Sequence, residues 1–495
     1  MKRLPVFFLS AVILAQAAGL ARAADYYVDS QSGADANDGL AAGRAWRSLE
    51  RVNRQVFGPG DRILLKAGTR YVGQLRPQGS GSLVDGKPKI ISLGMYGTGA
   101  KPRIDGEGRV LNTVLLRNIE YWEVRDLEVT NHGPTPQPWQ TGVSIVSDGF
   151  GAMHHIILRD IDVHDVNGDL RKSHEGCGIY FESKGGNKSH FDGLMIENCH
   201  VVRTDRNGIC QRGGDGARSV RVVIRGNRLE DIGGDGIKPW GSDGALVEHN
   251  IMRGGRMRAP DAAAGIWPFD CDNTVIQYNE VSGMKGTMDG QGFDSDYLCR
   301  HSLFQYNYSH DNEGGFMLIC APGDSYCEDT VIRYNISQND GLNSGRVFHF
   351  GGGSKNTRVY NNVVYIGRKQ DVPLLKFGEW NGGNASDTTF SNNIFYVDGR
   401  VTYDWGKSRN NVFDNNVFYG NHEGMPKDPG ALTKRPPLRN PGGGRDGIGT
   451  LDGYKLTGVS GFPRGTQIPD NGGRDFFGNP VPPDGRPCRG ACEGW

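Results

Sequence analysis

The sequence predicts an all-β solenoid, a parallel β-helix in which each coil of chain forms one rung. Three observations predict it. Segments repeat with a period in the twenties, an Asn recurs at one place in each segment, and the composition is built for turns, with 75 Gly among 495 residues. Val, Ile, Phe and Tyr recur in short runs between the turns. That separates the chain from low-complexity disorder and favours many short strands.

The repeat is clearest in VVIRGNRLEDI from Val222, ALVEHNIMRGG from Ala245, TVIQYNEVSGM from Thr274 and SLFQYNYSHDN from Ser302. It continues in TVIRYNISQND from Thr330, TRVYNNVVYIG from Thr357 and TTFSNNIFYVD from Thr388. Each reads as a strand, a turn carrying Asn and a second short strand. The Asn residues are 227, 250, 279, 307, 335, 362 and 393, spaced by 23, 29, 28, 28, 27 and 31 residues. Asn416 extends the row, and Cys199 takes the same place in LMIENCHVVRT. IILRDIDVHDV and WEVRDLEVTNH are earlier, less regular coils. None of these segments has helical periodicity. Rungs about 4.8 Å apart would stack the Asn side chains into a ladder, so this column is structural and not catalytic.

The ends follow from the repeat. Lys2, Arg3, the apolar run Val6 to Ala18 and the small-x-small site at Ala21-Arg22-Ala23 predict a signal peptide over residues 1–23. The protein is then expected to be secreted or periplasmic, and no run approaches the roughly 20 apolar residues of a membrane span. The β-helix is expected over residues 24–420, capped at its start by an amphipathic helix between Ala45 and Val56 with Trp46, Leu49 and Val52 on one side. Residues 421–495 are rich in Pro and Gly, lose the repeat and read as a C-terminal cap and tail. Export permits disulfides. The nine cysteines leave at least one unpaired, while Cys320/Cys327 and Cys488/Cys492 are spaced for small loops. The CRGAC segment lacks the partners of a zinc site.

The segments YYVDSQSGADANDG, AWRSLERVN and FGPGDRILLKAGTRYVG near the start, with DNGGRDFFGNPVPPDG near the end, complete a resemblance. Together with the coils, they make the chain similar to the right-handed parallel β-helix superfamily of pectate lyases, polygalacturonases and related glycosidases. The resemblance implies a right-handed, single-stranded helix and an exported enzyme acting on glycans. It carries over no catalytic residue, because the chain has neither an NTD nor an RIK motif.

A second column precedes the Asn segments: GIYFES at Gly178, GICQRG at Gly208, GIKPWG at Gly236, GIWPFD at Gly265 and GFDSDY at Gly292. GFMLIC at Gly315 and RVFHFG at Arg346 continue it. With the apolar residue after each Gly pointing inward, alternation sends Tyr180, Cys210, Lys238, Trp267, Asp294, Met317 and Phe348 outward. A second outward row is Glu182, Arg212, Trp240, Phe269, Asp296, Ile319 and Phe350. Aromatics, acids and cations on consecutive rungs suit a sugar groove. Trp240, Trp267, Phe348 and Phe350 would stack on pyranose faces, and Arg212 and Glu182 would bind substrate.

Asp270, Asp294 and Asp296 are the expected carboxylates, with Asp270 paired to Asp294 or Asp296, since glycoside hydrolysis needs an acid and a base or nucleophile. Lys238 is the further catalytic candidate. In the rival β-elimination, Lys238 or Arg212 is the base and Asp289, Asp294 and Asp296 hold calcium. A Lys among several acids keeps a high pKa, which favours hydrolysis without a cofactor. Glu175, Asp205, Asp235 and Asp289 sit on loops just upstream of the strands, and His174, His349, Glu313 and Glu379 are peripheral candidates. His349 is expected to face inward. A glycan-binding adhesin is the non-enzymatic alternative. Lys and Arg total 56, as do Asp and Glu. Without Lys2, Arg3 and Arg22 the chain carries 53 against 56, a net of −3. That excludes the basic face of a nucleic-acid binder. The expected partner is a polysaccharide or oligosaccharide, and the expected state a monomer.

Overall fold

A computed structural model describes residues 23–174, 176–213, 216–483 and 485–494. All of the signal segment except Ala23, and Glu175, lie outside the described residues. Each coil contributes a strand to each of three faces, and successive coils pair in parallel. The first face is a 16-stranded sheet whose ordered path runs from Asp25–Val28 to Val412–Asp414. The second runs from Arg70–Val72 to Val417–His422. The third starts at Asn112–Arg117 and passes through Thr141–Asp148, Cys177–Lys184, Asn207–Arg212 and Ile237–Lys238. Single bridges at Ile266 carry it on to Gln291–Ser295, Gly315–Ala321, Phe348–Gly352 and Asp371–Gly378.

The corner between the first and second faces is the reason the repeat contains Asn. One residue before each Asn is left-handed: Gly226, His249, Tyr278, Tyr306, Tyr334, Asn361, Asn392 and Asn415 all have φ between 50° and 66°. This single residue turns the chain. The following Asn then satisfies the polar groups that the turn exposes to the interior. Nδ2 of Asn307 donates to Oδ1 of Asn335 at 3.0 Å and to the Ile276 carbonyl at 2.8 Å. Oδ1 of Asn307 accepts from the backbone N–H and the Nδ2 of Asn279, both at 3.0 Å. The pattern repeats from Asn227 to Asn416. It ends in chemistry of the same kind, the Cys199 N–H on Asn227 at one end and the Asp428 carboxylate accepting from Asn416 at the other.

The interior is filled by stacked apolar side chains. At the entry to the third face Gly is needed for close approach. A Cβ on Gly236 would lie 2.2 Å from Met252 Sδ, and one on Gly178 would lie 2.5 Å from Val201 Cγ1, both on the opposite wall. The first coil is closed by a helix, Leu49–Arg54, shorter than the sequence reading. Ser48 caps it by accepting from the Arg51 N–H, and Trp46, Leu49 and Val52 are buried against the core. At the other end the chain returns along the outside of earlier rungs. Tyr308 donates to the Gly444 carbonyl, the Ile448 N–H to Glu280, and Asn361 to the Cys488 carbonyl. The nine cysteines are buried and unbridged, so neither small disulfide loop is present. Cys271, Cys299 and Cys327 instead occupy one position on successive rungs. No helix among the described residues is long and apolar enough to cross a membrane.

Asn307→Ala is expected to leave two buried donors of Asn279 without acceptors, at about 1–3 kcal/mol each. Urea unfolding should show a loss of that combined size. The exposed Lys427→Ala should stay within about 0.5 kcal/mol of the parent.

Candidate active site

The outer side of the third face carries a continuous groove. Two cavities, of about 420 and 380 Å³, share Trp139 and Arg212 as their common wall. The larger is bounded by Lys172, Lys238, Trp240, Trp267, Asp296 and Tyr297. The other reaches toward the N-terminal rungs past Tyr180 and Glu182 to Leu115 and Arg117. Register places the two outward rows side by side, Cys210 beside Lys238 and Trp240 beside Phe269.

Cations and indoles alternate along this wall. The Arg212 guanidinium lies 5.3 Å from the Trp139 ring and 5.9 Å from Trp240. The Lys238 ammonium lies 5.2 Å from Trp240 and 5.4 Å from Trp267, and Lys172 lies 4.9 Å from Trp267. Such contacts hold the cations over aromatic faces and fix the indole planes. Trp267 is held further by Nε1 donating to Asp235 Oδ1 at 3.2 Å. The loop bearing Lys172 is tied down where its N–H donates to Asp261 at 2.6 Å. Asp261 also receives the fully buried Arg206 at 3.0 Å.

At one end of the wall the acids gather. Asp294 and Asp296 are neighbours on the outward side, and Cys320 sits on the next rung opposite Asp296, with Sγ donating to Asp296 Oδ1 at 3.2 Å. Asp294 is 2 % exposed and its Oδ1 has no hydrogen-bond partner. Burial, followed by the charges of Asp296 and Asp289, pushes the Asp294 carboxyl well above the usual carboxylate range. Burial also pushes Asp296 up to about 6, against the opposing pull of the Tyr297 N–H, Lys172 and the Cys320 thiol. Asp289, half-buried and left-handed at φ 61°, is raised by burial and by Asp235, with Lys172 opposing. Asp235 alone of these acids is lowered. Burial acts against it, but Lys172, Arg206 and Lys238 outweigh that.

The structure thus brings together Lys238, Arg212, Trp240, Trp267, Glu182, Asp289, Asp294 and Asp296, all read from the sequence. Glu182 is held by Lys184 at 2.6 Å. It does not bring Asp270 to them. Asp270 is left-handed at φ 49°, turns off the face at the corner, and is ion-paired with Arg218 at 2.9 Å. Its near acidic neighbour is Asp272. Phe348 and Phe350 are also corrected: both are fully buried core residues and so cannot stack on a ligand. The cause is a one-residue offset. Phe293 pairs with Met317 and Met317 with Phe348, so Phe316 and Val347 fill the corner position of Gly292, where the sequence reading placed Gly315 and Arg346. A slip of one residue exchanges the two faces of a strand. Met317 and Ile319 therefore point inward, and Leu318, Cys320 and His349 take the outer row.

His349 accordingly faces outward, in contrast to the expectation. It accepts from Arg346 at 3.1 Å, and burial with Arg346 and Lys376 holds its pKa down at about 3. His174 pairs with Asp169, Asp205 accepts from the Asn167 amide, Glu313 from the Gly286 N–H and Glu379 from the Gly382 N–H. The sequence reading missed Trp139, Lys172, Tyr297 and Cys320. Trp139 and Lys172 stand on loops just ahead of third-face strands, the same place from which Asp235, Asp289 and His174 were read. Phe350→Ala should cost about 3–5 kcal/mol of stability, measured by denaturant unfolding. Trp240→Ala, at the partly exposed groove surface, should cost markedly less.

Comparison with known proteins agrees with this fold. The family model described as right handed beta helix region matches residues 177–395. A curated lacto-N-biosidase of Bifidobacterium longum subsp. longum is 29% identical over an alignment of 493 residues, covering 78% of this chain. The chain spans about 30% of that relative's length. The crystal structure of a GH136 lacto-N-biosidase from Eubacterium ramulus is 27% identical. It covers 79% of this chain and 68% of its own, with a TM-score of 0.63. The structure of XylC with xylose, 11% identical, covers 84% of this chain and 87% of its own at a TM-score of 0.50, a likeness of fold alone. Coil register, family match and structural likeness together make this chain a right-handed parallel β-helix protein of the architecture found in carbohydrate-active enzymes.

Proposed function

We propose that the chain is an exported glycoside hydrolase, acting as a monomer on an oligosaccharide laid along the groove between Trp139 and Tyr297. Asp296 carries the reading. It is the carboxylate that lines the Trp-walled pocket, at 9 % exposure, while Asp294 beside it is 2 % exposed and lines neither cavity. The partner must reach the glycosidic oxygen, and half-buried Asp289 is the raised acid with solvent access. In this reading Asp289 gives its proton to the leaving oxygen. Asp296 attacks the anomeric carbon or activates water. Asp294 retains a proton and spares Asp296 a second adjacent negative charge. Lys172 keeps Asp296 ionised, and the indole of Trp240 presents its face to pyranose C–H groups, while Trp267, buried at 3 % exposure, lies under Lys172 and Lys238. The lacto-N-biosidases to which the chain is similar support hydrolysis and suggest a lacto-N-biose type of substrate.

The lyase alternative has less support. Of its two candidate bases, Lys238 is 1 % exposed and held between two indoles, and Arg212 lies over the rings of Trp139 and Trp240. Its calcium site does not fit either. Calcium takes six to eight oxygen ligands, whereas the acids that converge here do so with a thiol.

Incubation with the p-nitrophenyl glycoside of lacto-N-biose and with a panel of oligosaccharides should yield new reducing ends, without the ultraviolet absorbance of an unsaturated uronate. A chelator should not lower the rate. Asp296→Asn and Asp289→Asn should each lose about 10²–10⁴-fold in kcat; full activity in either removes that residue from the mechanism.

The pH dependence follows from the raised carboxyls. Asp296 must be ionised, so kcat/KM should rise as pH passes about 6. Lys172→Met removes a cation that favours the ionised form of Asp296, so the rising limb should move to higher pH. Stability has its own sign. A carboxyl raised in the folded state stabilises the fold below its unfolded value near 4, and this contribution is lost as pH climbs through about 6. Asp296→Asn should flatten that loss in thermal melts.

A further inference from the structure

The thiol beside the acids is not used by the proposed reaction. Sγ of Cys320 and one carboxylate oxygen each from Asp294 and Asp296 lie within 4.8 Å of one another. Cys320 is 4 % exposed and Asp294 2 %, and the buried Oδ1 of Asp294 lacks a partner. A buried polar atom left unpaired costs about 1–3 kcal/mol, and buried charges are ordinarily paired or bound to metal. Two carboxylates and a thiol form a mixed donor set. Calcium and magnesium take oxygen, whereas zinc accepts Cys and Asp together in four-coordinate sites.

We propose that Asp294, Asp296 and Cys320 form a binding site for a borderline divalent cation of the zinc class, and that its occupancy switches the groove off by engaging Asp296. The second half rests on the catalytic reading given above. Binding is an exchange of protons for metal. The Cys320 thiol loses its proton and binds as thiolate, and Asp294 and Asp296 bind as carboxylates. At least one proton therefore leaves as one Zn²⁺ enters. The fourth position is left to water on the pocket side. A site that must shed protons should bind more tightly as pH rises.

The test is calorimetric titration of the chelator-treated full chain with ZnCl₂, and separately with CaCl₂, in buffers of differing ionisation enthalpy. One zinc per chain with net proton release is expected, and no binding of calcium at the same concentrations. A second-sphere partner alone is worth about 10–100-fold in metal affinity, so Cys320→Ser should weaken zinc binding at least about tenfold. Cys327→Ser, which alters a buried thiol on the first face, should bind as the parent does. Thermal melts of both variants verify folding, and Asp294→Asn gives a second loss independent of the thiol. In parallel, hydrolysis of the p-nitrophenyl glycoside of lacto-N-biose should fall with the same zinc midpoint, recover with chelator, and lose its zinc sensitivity in Cys320→Ser.

Equal binding by the parent and Cys320→Ser, or by zinc and calcium, overturns the site. Zinc held through Cys320 with hydrolysis undiminished upholds the site and overturns the switch. Zinc held through Cys320 by a chain that hydrolyses nothing upholds the site and overturns the catalytic reading on which the switch depends.

Discussion

The column of Asn amides at one corner is the constraint on which the rest depends. A solenoid must turn its backbone toward the core at every coil, and each turn exposes N–H and C=O groups where no water can reach them. Here one left-handed residue makes the turn, at a cost of roughly 1–2 kcal/mol where it is not Gly. The next residue supplies an amide with two donors and an acceptor that satisfy the rungs on both sides. Because each amide bonds to its neighbours, adjacent coils cannot slide along the helix axis independently. The register of the other two faces is thereby fixed.

That register creates the groove. Lys238, Trp267 and Asp294 are nearly thirty residues apart in sequence and adjacent on one wall because the coils between them close at the same corner. The loops ahead of the third face then add what the strands lack. Trp139 and Lys172 reach over the outward rows, and Arg206 and Asp261 hold the Lys172 loop in place. A fixed row of indoles with cations between them is a surface suited to sugars, whose C–H faces and hydroxyls need apolar planes and directed donors together.

The acids show competing effects within one small volume. Burial raises every carboxyl in the cluster, and Lys172 lowers each of them. The outcome differs by position. Asp235, with Arg206 and Lys238 as well, is lowered, while Asp294, crowded by Asp296, Asp289 and Asp235, is raised well above the usual range. Closely placed acids held in different protonation states are what acid–base chemistry requires. The same imbalance makes the cluster receptive to a dication.

The sequence by itself determined the coil, the Asn ladder, the capped start and the face on which Lys238, Arg212, Trp240, Trp267, Asp294 and Asp296 stand. These depend on spacing and alternation, which are local properties of the chain. Only the tertiary structure decided three other matters. Phe348 and Phe350 went to the core because Phe316 and Val347 occupy a corner that Gly fills on earlier rungs, and spacing alone cannot detect that substitution. Asp270 left the cluster because its backbone turns left-handed and Arg218 is brought to it from two rungs away. Trp139, Lys172 and Cys320 joined the site because loops and neighbouring coils carry them there. Contacts of that kind depend on where the chain returns in space, and no periodicity in the sequence encodes them.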